Sequence, residues 1–206
     1  MQPWTSITAF GDSAVLIPCA AVMLLWLCAL PDSRGLAWRW ACLFLGVAGL
    51  VAGSKLAFMA WGLGLRRLDF IGLSGHSALA AVVWPALFAL VCEGSSQRWR
   101  WVATGCGLLL ALLIAVSRLM LHLHSVAEVV SGLLVGAAAV LLFLWRHDER
   151  WQLRRRGWLL VISIALVLPF VYGHRFPTVH ILRLMAQQLS LDHSVYTRRY
   201  YCERCE

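Results

Sequence analysis

Long apolar runs divide the chain at about residues 13–31, 40–65, 75–92, 101–118, 126–145 and 158–173. Within each run the apolar positions are continuous. Strands of a membrane barrel would alternate instead, so the pattern predicts helices. The first run, Ser13 to Pro31, carries no charge. A helix of ~20 residues rising ~1.5 Å per residue covers the ~30 Å of a bilayer's hydrocarbon core. Short polar stretches join the runs, with no low-complexity linker and no internal repeat. The fold expected is therefore all-α: a six-transmembrane-helix bundle with short loops, one domain over residues 1–206. Residues 174–206 are expected to form an interfacial tail. Within that tail, Val179 to Leu191 set Ile181, Leu182, Leu184, Met185, Leu189 and Leu191 among polar residues, the pattern of a short amphipathic helix lying on a membrane.

Composition agrees with a lipid environment. The 206 residues are 61% hydrophobic and only 14% charged. Soluble domains are nearer half apolar and a quarter charged. No cleavable leader is expected, because the first twelve residues hold no Lys or Arg. The net charge of +8 comes from one Lys and seventeen Arg against ten acidic residues. Most of that charge lies between apolar runs, so it reads as topology and headgroup contact rather than as a nucleic-acid surface. Loops one, three and five hold Arg34, Arg39, Arg98, Arg100, Arg146, Arg150, Arg154, Arg155 and Arg156. The positive-inside rule places these loops in the cytoplasm, with loops two and four and both termini outside. Arg175, Arg183, Arg198, Arg199 and Arg204 in the tail oppose that assignment.

The cysteines change little. Cys19, Cys28, Cys42, Cys92 and Cys106 lie in or beside apolar runs and read as small hydrophobes. Cys202 and Cys205 form a single CxxC, too few ligands for tetrahedral zinc and equally suited to a local disulfide. No metal site and no cofactor is expected.

Ionisable residues within spans are costly and usually functional. Lys55, His76, Arg118, His124 and Glu128 all fall at the ends of runs that face outward on this topology. His124 and Glu128 are four residues apart, so a helical path puts them on one face. A carboxylate beside an imidazole fixes its tautomer and raises its basicity. Ser74-Gly75-His76 stands where a loop enters a helix, and free backbone N–H groups there bind phosphate. Lys55 and Arg118 add cationic groups, and Arg can grip phosphate oxygens in pairs. His122, His147, His174, His180 and His193 have no such company.

At these residues the sequence resembles the type 2 phosphatidic acid phosphatase superfamily of integral membrane lipid phosphatases. The family's third motif reads here as Ser117-Arg118, then His124, then Glu128, with Glu in place of Asp. The second motif, Pro-Ser-Gly-His, reads as Leu73-Ser74-Gly75-His76. The first, Lys followed seven residues later by Arg-Pro, keeps Lys55 but has Gly62 where Arg belongs. Arg66, eleven residues from Lys55 and nearly on the same helical face, is the expected replacement. The resemblance covers residues 10–145 and implies a metal-independent lipid phosphatase. His124 would be the nucleophile that forms a phosphohistidine, Glu128 its orienting partner and His76 the acid. Lys55, Ser74, Gly75, Arg118 and Arg66 would hold the phosphate. Small size and the lack of internal-membrane targeting signals lead to the expectation of a multi-pass protein of a bacterial inner membrane, and the loop charges put its site on the periplasmic side. Undecaprenyl diphosphate is the first substrate the resemblance points to, with phosphatidate, phosphatidylglycerophosphate and lipid A 1-phosphate as competitors. A transporter or metal-resistance protein, and a catalytically silent family member, are the other readings.

Overall fold

The computed structural model describes residues 3–30, 33–145, 157–173, 177–190 and 195–198. Arg146, His147, Arg150, Arg154, Arg155, Arg156, His174, Arg175, His193, Arg199, Cys202, Arg204 and Cys205 lie outside the described residues. The fold is all-helical, as the run pattern requires. The helices are α1 (Pro3–Ala9), α2 (Ser13–Ala29), α3 (Arg34–Trp61), α4 (Gly75–Val91), α5 (Gln97–Met120), α6 (Val126–Trp145), α7 (Gly157–Val171) and α8 (Thr178–Leu189). A 3₁₀ turn covers Arg66–Leu68.

Four segments are long and apolar enough to cross a membrane: Pro3–Ala29, Arg34–Trp61, Gln97–Met120 and Val126–Trp145. The other two apolar helices, Gly75–Val91 and Gly157–Val171, have 17 and 15 residues. They fall at or below the short end of the range for a spanning helix. The second apolar run also ends earlier than expected. Helix α3 stops at Trp61 because Gly62 takes φ 67°, a left-handed C-cap, and its N–H bonds back to Phe58 O at 2.8 Å.

Helix α4 is the hub, buried along almost its whole length and packed on α5 and α6. Small residues let the backbones close up, as in membrane helix pairs. A Cβ at Gly136 would sit 2.3 Å from Ala78 O, and one at Gly107 would sit 2.4 Å from Pro85 Cα. Trp40 ties α3 to α2 through Nε1 to Ala20 O (3.0 Å) and packs edge-on against Phe143 of α6. The starts of α2, α4 and α6 lie at the same end of the bundle as the ends of α3 and α5, since residues of all five line one cavity. The amphipathic tail helix expected over 179–191 is present as α8, and it packs against α3.

Candidate active site

At that end a cavity of about 600 Å³ opens between the helices. Lys55 from α3, Gly75 and His76 from α4, Arg118 from α5, His124 from the loop after α5 and Glu128 from α6 all line it. Side chains up to 73 positions apart in sequence thus share one chamber. The rest of the wall is mostly apolar, with Ile17, Val51, Phe58, Leu79 and Leu182 among its residues. The chamber has one cationic, histidine-bearing region and a greasy remainder.

Glu128 is the best-fixed group there. It is fully buried, and both of its oxygens are occupied. Oε2 accepts from His124 Nδ1 at 2.5 Å and from Ser125 N at 3.3 Å. Oε1 accepts from Ile71 N at 3.0 Å and from Arg198 Nη2 at 2.5 Å. Ser125 Oγ accepts in turn from Glu128 N at 3.3 Å. Ser125 and Glu128 therefore form a capping box at the start of α6, a motif that takes Glu or Gln at its last position. The Glu that stands where the family motif has Asp doubles as a helix cap. With an ionised carboxylate on Nδ1, the proton sits on that nitrogen and Nε2 keeps its lone pair. Burial pushes the His124 imidazole below its ordinary range, against the opposing effect of Glu128, and Lys55 and Arg118 push the same way as burial. The ring is then neutral near pH 7.

The loop before α4 is stitched to both neighbours. Leu73 N donates to Ser54 Oγ at 3.0 Å, and Ser74 N donates to Glu128 O at 3.1 Å. An added Cβ at Gly75 would lie 3.3 Å from Val51 Cγ1 and 3.9 Å from Lys55 Nζ, so glycine leaves the ammonium room. On the far side, His76 Nε2 is 3.8 Å from Asp12 Oδ2. Asp12 also caps α2 by accepting from Ala14 N at 2.9 Å. Arg118 Nη1 donates to Thr8 Oγ1 at 3.2 Å, which ties α1 to the site.

Two expected phosphate ligands are placed differently. Ser74 is fully buried, does not line the cavity, and accepts from Ser77 Oγ at 3.0 Å. Arg66 is exposed in the 3₁₀ turn and does not line the cavity either. The expectation for Arg66 assumed that helical geometry continued past Lys55 for eleven residues, but α3 ends after six of them. Arg67 is also exposed, as is His122, and neither lines the chamber.

Besides Arg118, two arginines outside the motifs line the chamber, Arg183 of α8 and Arg198, and Arg198 also lies 3.4 Å from Asp69 Oδ2 through Nη1. Nothing local in the sequence marks it. Asp12 had a weak signal, as an N-cap just before an apolar run. Among the described residues no group of three or more His, Cys, Asp or Glu side chains is placed to hold a metal ion.

Clustered cations and a carboxylate-bound histidine thus line a chamber at one end of a bundle that has four helices long and apolar enough to cross a membrane, the mark of a membrane protein. A model of the PAP2 superfamily matches residues 61–152, which include the second and third motifs. The chain is also 49% identical over 142 residues to an uncharacterized 22.5 kDa protein in the cps region of Klebsiella pneumoniae, with 68% of each chain covered. The chain belongs to the PAP2 superfamily, a family of phosphatases. No solved structure matches it.

Proposed function

We propose that this protein is a lipid phosphatase that works through a phosphohistidine, with undecaprenyl diphosphate the first candidate substrate and phosphatidate, phosphatidylglycerophosphate and lipid A 1-phosphate as alternatives. The observation that carries the reading is His124 held by Glu128 on a chamber shared with His76, Lys55 and Arg118. His124 Nε2 attacks phosphorus, the P–N bond forms and the P–O bond to the leaving group breaks. His76 gives its proton to the departing oxygen. A water molecule then attacks the phosphohistidine, His76 takes its proton, the P–N bond breaks and inorganic phosphate leaves. Lys55, Arg118 and the backbone at Gly75 hold the phosphoryl oxygens as charge moves onto them. Glu128 balances the positive charge on His124 while phosphorus is attached. The apolar wall supports a lipid leaving group, because it offers hydrocarbon contact next to the charged end. The protein crosses a bacterial inner membrane six times, with α4 and α7 as short crossings and the chamber on the periplasmic side. The arginines of the odd loops support that orientation.

The test is phosphate release by purified protein in nanodiscs, with each lipid phosphate offered separately. The wild type should release phosphate and form an acid-labile phosphoenzyme, and His124→Ala should do neither. His76→Ala should lose turnover yet still label with a substrate whose leaving group needs no proton. His122→Ala should be nearly silent. Phosphoenzyme that survives in His124→Ala and disappears in His122→Ala would show that the nucleophile is the wrong histidine.

A further inference from the structure

Residues 195–198 line the chamber. Tyr196 N donates to Met59 O at 2.9 Å, which fastens the segment to the last turn of α3. The Tyr196 ring lies against Gly62, where a Cβ would be 3.1 Å from Cε1. Gly62 is the position at which the first motif has Arg. A Cβ there would press on the Tyr196 ring, and φ 67° would strain any replacement. The position that lacks the motif arginine is thus the one on which the tail docks. Two residues on, Arg198 joins Glu128 Oε1 (2.5 Å) and Asp69 Oδ2 (3.4 Å).

We infer that Arg198 is a positioning residue, delivered by the tail, that fixes the Glu128 carboxylate and through it the ring of His124. The role rests on the phosphatase reading above for its effect on turnover, but not for its effect on His124. Glu128 has one oxygen for each partner. A guanidinium on Oε1 holds the carboxylate plane, and that plane aims Oε2 at His124 Nδ1. Arg198 also brings a cation to a buried carboxylate whose other hydrogen-bond donors are His124 Nδ1 and the Ile71 and Ser125 amides. Its own side chain is 31% exposed, so it reaches the pair from the solvent side.

Two measurements test this, in Arg198→Gln, Arg198→Lys and Tyr196→Ala. The first is the split between kcat and KM. Arg198→Gln should lower kcat about tenfold, the size of one charge-assisted hydrogen bond, and leave KM within about twofold. Lysine should restore most of kcat, and Tyr196→Ala should show a weaker form of the glutamine effect. The second is the pH dependence of diethyl pyrocarbonate modification at His124, read by mass spectrometry, since only the neutral imidazole reacts. The charged and titratable groups that share the chamber with His124 are Lys55 on α3, His76 on α4, Arg118 on α5, Glu128 on α6, Arg183 on α8 and Arg198 itself, with Asp12 at the N-cap of α2 behind His76. Removing one cation makes the imidazolium easier to form, so the midpoint should move to higher pH in Arg198→Gln and return in Arg198→Lys. If the wild type released no phosphate from any lipid, the phosphatase reading would fail, and the His124 midpoint would still decide the role of Arg198. A rise in KM alone, with kcat and the midpoint unmoved, would make Arg198 a substrate ligand and overturn the inference. So would an unchanged kcat and midpoint in Arg198→Gln.

Discussion

Replacing Glu128 by Gln tests the centre of the site with almost no change of shape. The carboxylate accepts four hydrogen bonds, from His124 Nδ1, Ser125 N, Ile71 N and Arg198 Nη2. An amide has one oxygen and one NH₂. If the NH₂ group takes the Oε1 position, it faces two donors, Ile71 N and Arg198. If it takes the Oε2 position, it faces Ser125 N–H and His124. His124 must then accept at Nδ1, which moves its proton to Nε2 and removes the attacking lone pair. One orientation costs a charge-assisted contact and sets donor against donor, and the other costs the nucleophile. In both, the imidazolium formed on phosphorylation loses its counter-charge. A charge-assisted hydrogen bond contributes about 1.5–3 kcal/mol, and an unsatisfied buried donor costs about 1–3 kcal/mol. Together they raise the barrier by about 3–5 kcal/mol, a fall in kcat of about 10²–10⁴-fold. The assay is single-turnover phosphoenzyme formation followed by steady-state phosphate release. Glu128→Asp keeps the charge but withdraws it by about 1.5 Å, one carbon–carbon bond. It can then serve the His124 side or the Arg198 side but not both, and the capping box is lost, so turnover should fall even though Asp is the family residue. Activity of Glu128→Gln within tenfold of wild type would refute the whole account of the pair.

Three further predictions follow from the geometry. Because burial and nearby cations hold His124 below its ordinary range, phosphate release should persist as pH falls past about 6.5, the free imidazole value, and fail only at lower pH as His124 protonates; a pH–rate profile with its acidic limb above that value would contradict the direction. Gly136→Val places carbon where Ala78 O now sits, at 2.3 Å from the first added atom, and should destabilise the α4–α6 pair by about 1–3 kcal/mol, seen as a lower melting temperature in detergent and a fall in activity through the displaced second motif. Single cysteines in the 65–74 and 118–125 loops should react with an impermeant maleimide in intact cells. Labelling of the 146–157 loop from outside would reverse the orientation.

Much of the molecule could be read along the chain. Continuous apolar runs placed α2 to α7 within a few residues, because burying a helix in lipid demands an uninterrupted apolar stretch. The i,i+4 spacing of His124 and Glu128 identified a pair that a single turn of chain can form. Such features are local, and local chemistry is what a sequence records. Where the placement differs from the one expected, the cause is tertiary. Arg66 was assigned to a helical face that ends at Gly62, since one left-handed residue redirects everything after it. Ser74 was assigned to phosphate, but its hydroxyl turns inward to Ser77. Arg198 had no local signal, Asp12 only that of a helix cap, and α8 only that of an amphipathic helix, because their place at the chamber depends on which distant backbone they meet. Sequence alone determined which residues carry charge into an apolar bundle and at which end. Only the folded chain decided which arginine reaches Glu128, because a guanidinium finds its carboxylate by packing, not by spacing.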